Sequence, residues 1–370
     1  MSALSQAELS RYARHLTLPE VGMEGQQRLK AAKVLCVGAG GLGCPALLYL
    51  AAAGVGTIGI VDPDRVDISN LQRQVLFTTS DVDKLKSEVA RERILALNPH
   101  LQVNVYSTKL TNENVLTIFN DYDIIIDATD NYAARYLIND ACYHLQKPDV
   151  FACILRFTGQ CTVFAMPGQP CYRCLFPEPP SGEFVPNCAE AGVLGVLPGL
   201  LGSLQALETI KIILSAGKSL AGKLVTIDTL SLRWQEISLA INPECILCAK
   251  KTPFTAISRP QETCMATKKE IAEMTPAEFI NLRSQQSSFL LLDVREPEEY
   301  EQSNLGGYLI PLRELPKRAH ELNSQQMIVV HCKMGGRSMQ AVEWLQKNGF
   351  QQVYNLTGGI IACLQAMQGK

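Results

Sequence analysis

Lys33-Val34-Leu35-Cys36-Val37-Gly38-Ala39-Gly40-Gly41-Leu42-Gly43 decides the fold of the first two thirds of the chain. The apolar run at its start reads as a short strand buried on both faces. The glycines follow the strand directly, and an Ala/Leu-rich stretch over residues 44–53 reads as the helix they open. That order brings backbone N–H groups and the positive end of a helix dipole to one place, where phosphate oxygens can be held. Residues 57–61 read as a second strand. Asp62 at its end, about 20 residues on from the glycine loop, is placed to accept a hydrogen bond from a ribose hydroxyl. Alone, this pattern fits NAD as well as ATP.

The same alternation continues outward. Residues 86–97 have helical spacing and stop at Asn98-Pro99, and residues 103–106 and 124–127 read as further strands. Strands alternating with helices predict an α/β, Rossmann-like, doubly wound and mainly parallel sheet. Residues 34–61 carry no charge and are long enough for a membrane span. Their glycines and Pro45 divide them into strand, loop, helix and strand, so no membrane segment is expected.

A triphosphate gathers more charge than helix-end amides can balance, so its site needs extra cations and usually a metal. Asn70-Leu71-Gln72-Arg73-Gln74 follows the second strand, Lys86 heads the next helix, and Asp127-Ala128-Thr129-Asp130-Asn131 follows a third strand. Strand ends in such sheets face the ligand crevice, which places Asp130 to hold Mg²⁺. Singly, Arg73 and Lys86 read as solvated surface charges, and it is their joint position after two strands that argues for the site.

Cys171-Tyr172-Arg173-Cys174 and Cys245-Ile246-Leu247-Cys248 are two CxxC pairs. Each pair can clamp one edge of a tetrahedral ion, and four thiolates close the shell, as in structural zinc sites. Two redox pairs are the other reading. The chain has 13 cysteines, most lying singly in apolar runs, where a reduced thiol is the default. The first residues have no basic start and no apolar core of a signal peptide, and a cytoplasmic location is expected. The chain's 370 residues suit two domains, and its net charge of −2 gives no surface for nucleic acid or anionic membrane.

Residues 250–267 are rich in Pro, Thr and Ser and read as a linker. A second α/β unit follows, with a helix over 271–282, strands over 289–293, 327–331 and 353–356, and an amphipathic helix over 338–348. Cys332 stands at a strand end, before Gly335-Gly336-Arg337-Ser338 and a helix. Amides turned toward the sulfur, the helix dipole and Arg337 would together lower the thiol pKa and stabilise a persulfide anion. The rival is a Cys-dependent phosphatase, but the four residues between Cys332 and Arg337 are one fewer than such enzymes use. The smaller ring suits a sulfur atom.

Arg11-Tyr12-Ala13-Arg14, the loop from Gly38 to Gly43, Asp62, Asn70 to Gln74, Lys86, Asp130 and both CxxC pairs resemble the MoeB/ThiF family of ubiquitin-activating-type adenylyltransferases. The likeness spans residues 8–250 and is closest to molybdopterin-synthase adenylyltransferases and their rhodanese-fused relatives. Leu292-Asp293-Val294-Arg295-Glu296-Pro297, residues 331–338 and Thr357-Gly358-Gly359-Ile360 resemble a rhodanese domain across 268–370. Asn304-Leu305-Gly306-Gly307-Tyr308 and Cys363 depart from that pattern.

The resemblance implies an adenylyltransferase domain over 1–249, the linker, and a rhodanese-like domain over 268–370. It implies an ATP·Mg²⁺ site at the sheet edge, held by Gly38, Gly40, Gly41, Gly43, Asp62, Asn70, Arg73, Gln74, Lys86 and Asp130. The C-terminal Gly-Gly tail of a ubiquitin-like sulfur-carrier protein of MoaD/ThiS type would lie across that site and be adenylated. Arg14 would be an arginine finger from the other subunit of a homodimer. Cys188 would be a loop thiol, either bonding to the carrier or inert. A cysteine desulfurase or thiosulfate would load sulfur onto Cys332, whose persulfide turns the acyl-adenylate into a thiocarboxylate. Molybdenum cofactor, thiamin, cysteine and tRNA thiolation pathways use such activators. The readings from other classes are an NAD-dependent oxidoreductase with a regulatory rhodanese module and a non-catalytic scaffold for a ubiquitin-like protein.

Overall fold

The computed structural model describes residues 3–178, 192–257, 259, 272–285 and 288–368. The chain forms two compact units, Met1–Glu262 and Thr263–Lys370.

In chain order the first unit carries β1 (Lys33–Val37), α1 (Gly43–Ala53), β2 (Thr57–Val61), α2 (Lys86–Leu97), β3 (Gln102–Tyr106), β4 (Ile124–Asp127), α3 (Tyr132–Leu145), β5 (Asp149–Leu155), β6 (Thr158–Phe164), α4 (Val196–Leu214), β7 (Lys223–Asp228) and β8 (Arg233–Ser238). These strands form one sheet in the order β3-β2-β1-β4-β5-β6-β7-β8. Strands β3 to β5 pair in parallel. From β5 to β8 the pairing is antiparallel. The apolar runs of β1, β2 and β4 are buried on both faces, as parallel strands between helices require.

One face of the sheet packs Ala46, Leu47 and Leu50 of α1 and Leu197, Leu201 and Ala206 of α4 against Val34, Cys36 and Ile126. The other face packs Phe119, Tyr122, Leu137, Ile138 and Cys142 against Leu35, Val37 and Ile125. Residues 34–61 form β1, a loop, α1 and β2, as expected. Helix α4 is long and apolar enough, by length and composition, to cross a membrane, yet its buried leucines form part of this core. Strand order reverses between β1 and β4, so the crevice at their C-terminal ends is where an open α/β sheet binds ligands.

The start of the expected linker is packed chain. Phe254 joins the core under α3, and Ile257 is buried beside the paired cysteines. Arg259 donates through Nε to Asp140 Oδ2 at 2.9 Å, with its guanidinium 3.8 Å from the Phe254 ring centroid.

The second unit carries β9 (Ala272–Met274), α5 (Pro276–Ser284), β10 (Phe289–Asp293), α6 (Pro297–Gln302), β11 (Tyr308–Leu309), β12 (Met327–His331), α7 (Gly336–Lys347), β13 (Val353–Leu356) and α8 (Gly359–Gln368). Its sheet is parallel in the order β11-β10-β12-β13-β9. The helix expected from residue 271 starts later, because residues 272–274 pair as β9. Thr275 and Glu278 then form a capping box with Pro276 at the first helical turn.

Candidate functional site

A cleft of about 900 Å³ opens where β1 and β4 diverge. It is lined by Gly38, Gly40, Gly41, Asp62, Arg73, Gln74, Lys86 and Asp130, all expected from the sequence. Gly43 does not line it but shapes its floor. A Cβ on Gly43 would overlap the Gly38 carbonyl oxygen, and Gly38 itself has φ +96° with Ala128 O 2.8 Å from where its Cβ would be. The turn therefore needs glycine at both positions.

Asp62 ends β2 and is buried. Its Oδ2 accepts from the Ala39 amide at 2.8 Å and its Oδ1 from the Asp64 amide at 2.9 Å, so the acid ties the second strand to the glycine loop. Burial raises its pKa above the usual carboxylate value, while Lys86 and the two amides pull it back. Lys86, at the start of α2, is also buried and donates to Asp64 Oδ2 at 3.0 Å. Asp64 is largely exposed, so this pair can open at little cost.

Asn70 is not among the residues lining the cleft. Its carbonyl accepts from the amides of Arg73 and Gln74 at 3.0 and 2.9 Å, closing the turn that presents those two side chains. Gln74 is buried, and its Oε1 has no partner among the described residues. Asp130 is exposed at the cleft, and its carboxylate makes no hydrogen bond or ion pair among the described residues. Arg14 lies exposed on the short helix Ala13–Leu16 and is not among the residues lining this cleft. Cys188 lies outside the described residues.

The cleft also contains residues that the sequence did not single out. Arg135, in the first turn of α3, lines the cleft while only 7% exposed. Its guanidinium sits 5.3 and 5.5 Å from the Tyr132 and Phe151 ring centroids and donates to the Thr129 carbonyl at 3.2 Å, leaving Nε without a hydrogen-bond partner among the described residues. Beneath it Asp127 is fully buried, taking the amide and hydroxyl of Thr129 on Oδ1, with no hydrogen-bond partner for Oδ2 among the described residues. Only an α-helical spacing of charge marks Arg135 in the sequence. Its burial depends on Phe151, a strand away.

The four CxxC thiols converge. Cys171 Sγ lies 3.9 Å from Cys174 Sγ and 3.6 Å from Cys245 Sγ, and Cys174 Sγ lies 3.1 Å from Cys248 Sγ. All four sulfurs fall within 4.8 Å of one another. Zn–S bonds of about 2.3 Å in a tetrahedron need sulfurs about 3.8 Å apart, so the donor set fits zinc. Leu247 and Ile257 pack against the cluster, and four thiolates would fill a tetrahedral shell with no position left for catalysis.

In the second unit Cys332 follows β12, only 2% exposed. Its Sγ accepts from the Gly335 amide at 3.2 Å and from Ser338 Oγ at 3.5 Å. Burial alone would raise this thiol's pKa. The Ser338 hydroxyl and the amides of Ser338, Met334 and Gly335 outweigh it, and the net value lies below that of an ordinary thiol. Arg337 is turned aside. Its Nη1 and Nη2 donate to Glu299 Oε2 and Oε1 at 2.6 and 2.7 Å, a bidentate pair on α6. The sulfur loop thus holds its anion on amides and Ser338, with the Arg337 charge adding a through-space attraction to the Cys332 thiolate while its Nη atoms meet Glu299. Gly359, at φ +61°, brings α8 against the loop so closely that a Cβ would meet Cys332 O at 2.5 Å, and the Ile360 amide donates to that oxygen at 2.9 Å.

A glycine-loop crevice with added cations, a closed thiolate cluster and a sulfur-holding loop define a nucleotide-using enzyme joined to a sulfurtransferase-type unit. The profile of the ThiF family matches residues 12–247, and that of the rhodanese-like domain matches residues 275–366. The chain is 42% identical over 381 residues to the "probable adenylyltransferase/sulfurtransferase MoeZ" of Mycobacterium tuberculosis, covering 99% of this chain and 95% of that protein. It is 53% identical over 249 residues to the "sulfur carrier protein adenylyltransferase" of Thermus thermophilus, covering 66% of this chain and 92% of that one. Among solved structures, E. coli MccB with ATP superposes with a TM-score of 0.58 at 24% identity, over 66% of this chain and 75% of that one, a likeness of fold. The chain belongs to the ThiF family, with a rhodanese-like domain behind it, and is an adenylyltransferase/sulfurtransferase. The oxidoreductase and scaffold readings fall away.

Proposed function

We propose that the first unit uses ATP to adenylate the C-terminal glycine carboxylate of a ubiquitin-like sulfur-carrier protein of MoaD/ThiS type, that a persulfide on Cys332 then attacks the acyl-adenylate and expels AMP to give an acyl disulfide, and that a second thiol cleaves its sulfur–sulfur bond, releasing the thiocarboxylate and leaving a disulfide with Cys332. The observation that carries this is the gathering of Arg73, Lys86 and Arg135 with Asp130 around the glycine loop in one cleft. Carboxylate and triphosphate repel each other, and cations held in place before they meet remove that barrier.

The chain's own groups divide the work. The amides of Gly40 and Gly41 and the N-terminus of α1 face the phosphates. Asp62 keeps a free lone pair on each oxygen for the ribose hydroxyls. Gln74 Oε1, unpartnered, is an acceptor for a donor on the nucleotide. Lys86 and Arg73 bind phosphate oxygens, Lys86 by exchanging Asp64 for the ligand. Arg135 faces the incoming carboxylate and holds it. Asp130 and its neighbours would hold Mg²⁺, which supplies further neutralisation of the phosphates when bound. Arg14, exposed away from this cleft, acts in trans, which requires a homodimer. Cys171, Cys174, Cys245 and Cys248 hold a structural Zn²⁺. Residues 250–267 tether the second unit, at Cys332 of which sulfur arrives from a cysteine desulfurase or thiosulfate. Cys188 relays the carrier or stands aside. The setting is cytoplasmic, and molybdenum cofactor or thiamin biosynthesis supplies the carrier.

Mixing the protein with ATP and a carrier ending in Gly-Gly tests this. Intact mass should show the carrier gaining one adenylate and then, with sulfur loaded on Cys332, exchanging one oxygen for sulfur. A carrier whose mass never changes refutes the proposal.

A further inference from the structure

Arg337 stands where a sulfur-transfer loop would be expected to present a cation to its donor, but its two Nη atoms are committed to a carboxylate. Two of its nitrogens meet both oxygens of Glu299, at 2.6 and 2.7 Å. Glu299 also accepts from the Glu296 amide at 3.1 Å, which closes the first turn of α6 and fixes the carboxylate in place. The Arg337 charge holds the Glu299 carboxyl down to about 2, so it is ionised at any working pH. The other charges at this mouth are Glu296, paired with Arg313 at 2.9 Å, and the exposed Lys333. Arg295, buried behind them, is committed to Asp293 at 2.6 Å.

We infer that Glu299 is a specificity-determining residue for the sulfur donor, withholding Arg337 from oxyanion donors such as thiosulfate and leaving the loop fitted to alkyl persulfides. This rests on the sulfur-transfer reading of Cys332. The two donors ask different things of the loop. With an alkyl persulfide, the Cys332 thiolate attacks the terminal sulfur of R–S–SH. A sulfur–sulfur bond to Cys332 forms, the R–S to sulfur bond breaks, its electron pair leaves with R–S⁻, and the proton stays on the transferred sulfur. One negative charge enters and one leaves, on sulfur, where the amides of Met334, Gly335 and Ser338 suffice. With thiosulfate, the same attack expels sulfite, which carries two charges on three oxygens. Those oxygens call for a planar, bidentate cation, and the arginine of the loop presents its paired Nη edge to Glu299 instead.

The test uses the full chain reduced, then mixed in single turnover with thiosulfate or with cysteine persulfide, and reads sulfur on Cys332 by mass. The wild type should load from cysteine persulfide much faster than from thiosulfate. Glu299→Gln keeps an acceptor for the Glu296 amide but removes the charge. It should raise the thiosulfate rate about ten- to a hundredfold, the worth of one or two charge-assisted hydrogen bonds, and leave the cysteine persulfide rate within about threefold. Glu299→Asp, which keeps the charge, should stay near the wild type with both donors. The gain should vanish in Glu299→Gln/Arg337→Ala. A thiosulfate rate that stays flat or falls in Glu299→Gln while persulfide still loads overturns the inference. Loading from neither donor, in any of these proteins, instead defeats the sulfur-transfer reading itself.

Discussion

Asp149 opens β5 in the interior, 1% exposed, on the same sheet face as Asp127. Among the described residues its Oδ1 has no hydrogen-bond partner, and neither does Asp127 Oδ2. Burial drives the Asp149 pKa well above its ordinary value of 3.8, and the Asp127 charge pushes the same way. Nothing opposes the shift. In the unfolded chain this carboxyl ionises near 3.8, while in the native state it keeps its proton to higher pH. The native state therefore binds one more proton, and stability falls as pH rises from 3.8 toward the folded value. The slope for one extra proton is about 1.4 kcal/mol per pH unit. Asp149→Asn removes the titration with almost no change in shape. Over a window of one pH unit within that range, the variant should gain about 1.4 kcal/mol on the wild type, or about 3–5 °C in the first unit's unfolding midpoint. Denaturant unfolding of both proteins at a series of pH values, followed by a probe in the first unit, measures the difference. Parallel stability–pH curves would refute the account, because they would mean that Asp149 ionises alike folded and unfolded.

Three further outcomes follow from the same geometry. Asp130→Ala, at an exposed position with no side-chain hydrogen bond among the described residues, should abolish carrier-driven ATP–pyrophosphate exchange while moving stability by less than about 0.5 kcal/mol; retained exchange would remove Asp130 from the chemistry. Gly43→Ala should cost about 4 kcal/mol or more and eliminate nucleotide binding measured by calorimetry, since the new methyl overlaps the Gly38 carbonyl. Cys171→Ser should lower the bound zinc found by elemental analysis and destabilise the first unit by on the order of 4 kcal/mol, an effect that prolonged chelation of the wild type should reproduce.

The parts of the site that the sequence revealed are those fixed by local order. An apolar run sets where a strand ends, and the ends of β1, β2 and β4 place Gly38, Asp62 and Asp130 without reference to anything distant. The paired cysteines announce one another by spacing. What escaped depends on packing between remote segments. Arg135 looks like a helix-surface charge until Phe151 covers it. The clamp of Arg337 by Glu299 joins residues 38 apart in the sequence, so no local spacing shows it. The antiparallel half of the sheet was hidden for another reason. All six residues of β8 are exposed at the sheet's edge, so they carry no buried periodicity to read. Asn70 also has a part that no residue type announces, since its backbone carbonyl closes the turn that presents Arg73 and Gln74.

The converging thiols also bear on how the first unit opens. Helix α4 and the hairpin of β7 and β8 all lie between the two cysteine pairs in the sequence. An exposed edge strand is where native-state fraying normally starts. Here the chain leaves β8 at Ser238 and is caught seven residues later, at Cys245 (238 to 245). With an ion in place, that edge cannot peel outward alone without stretching a pinned segment. Slowly exchanging amides should therefore extend from α4 into the hairpin, and stripping the ion should release them first.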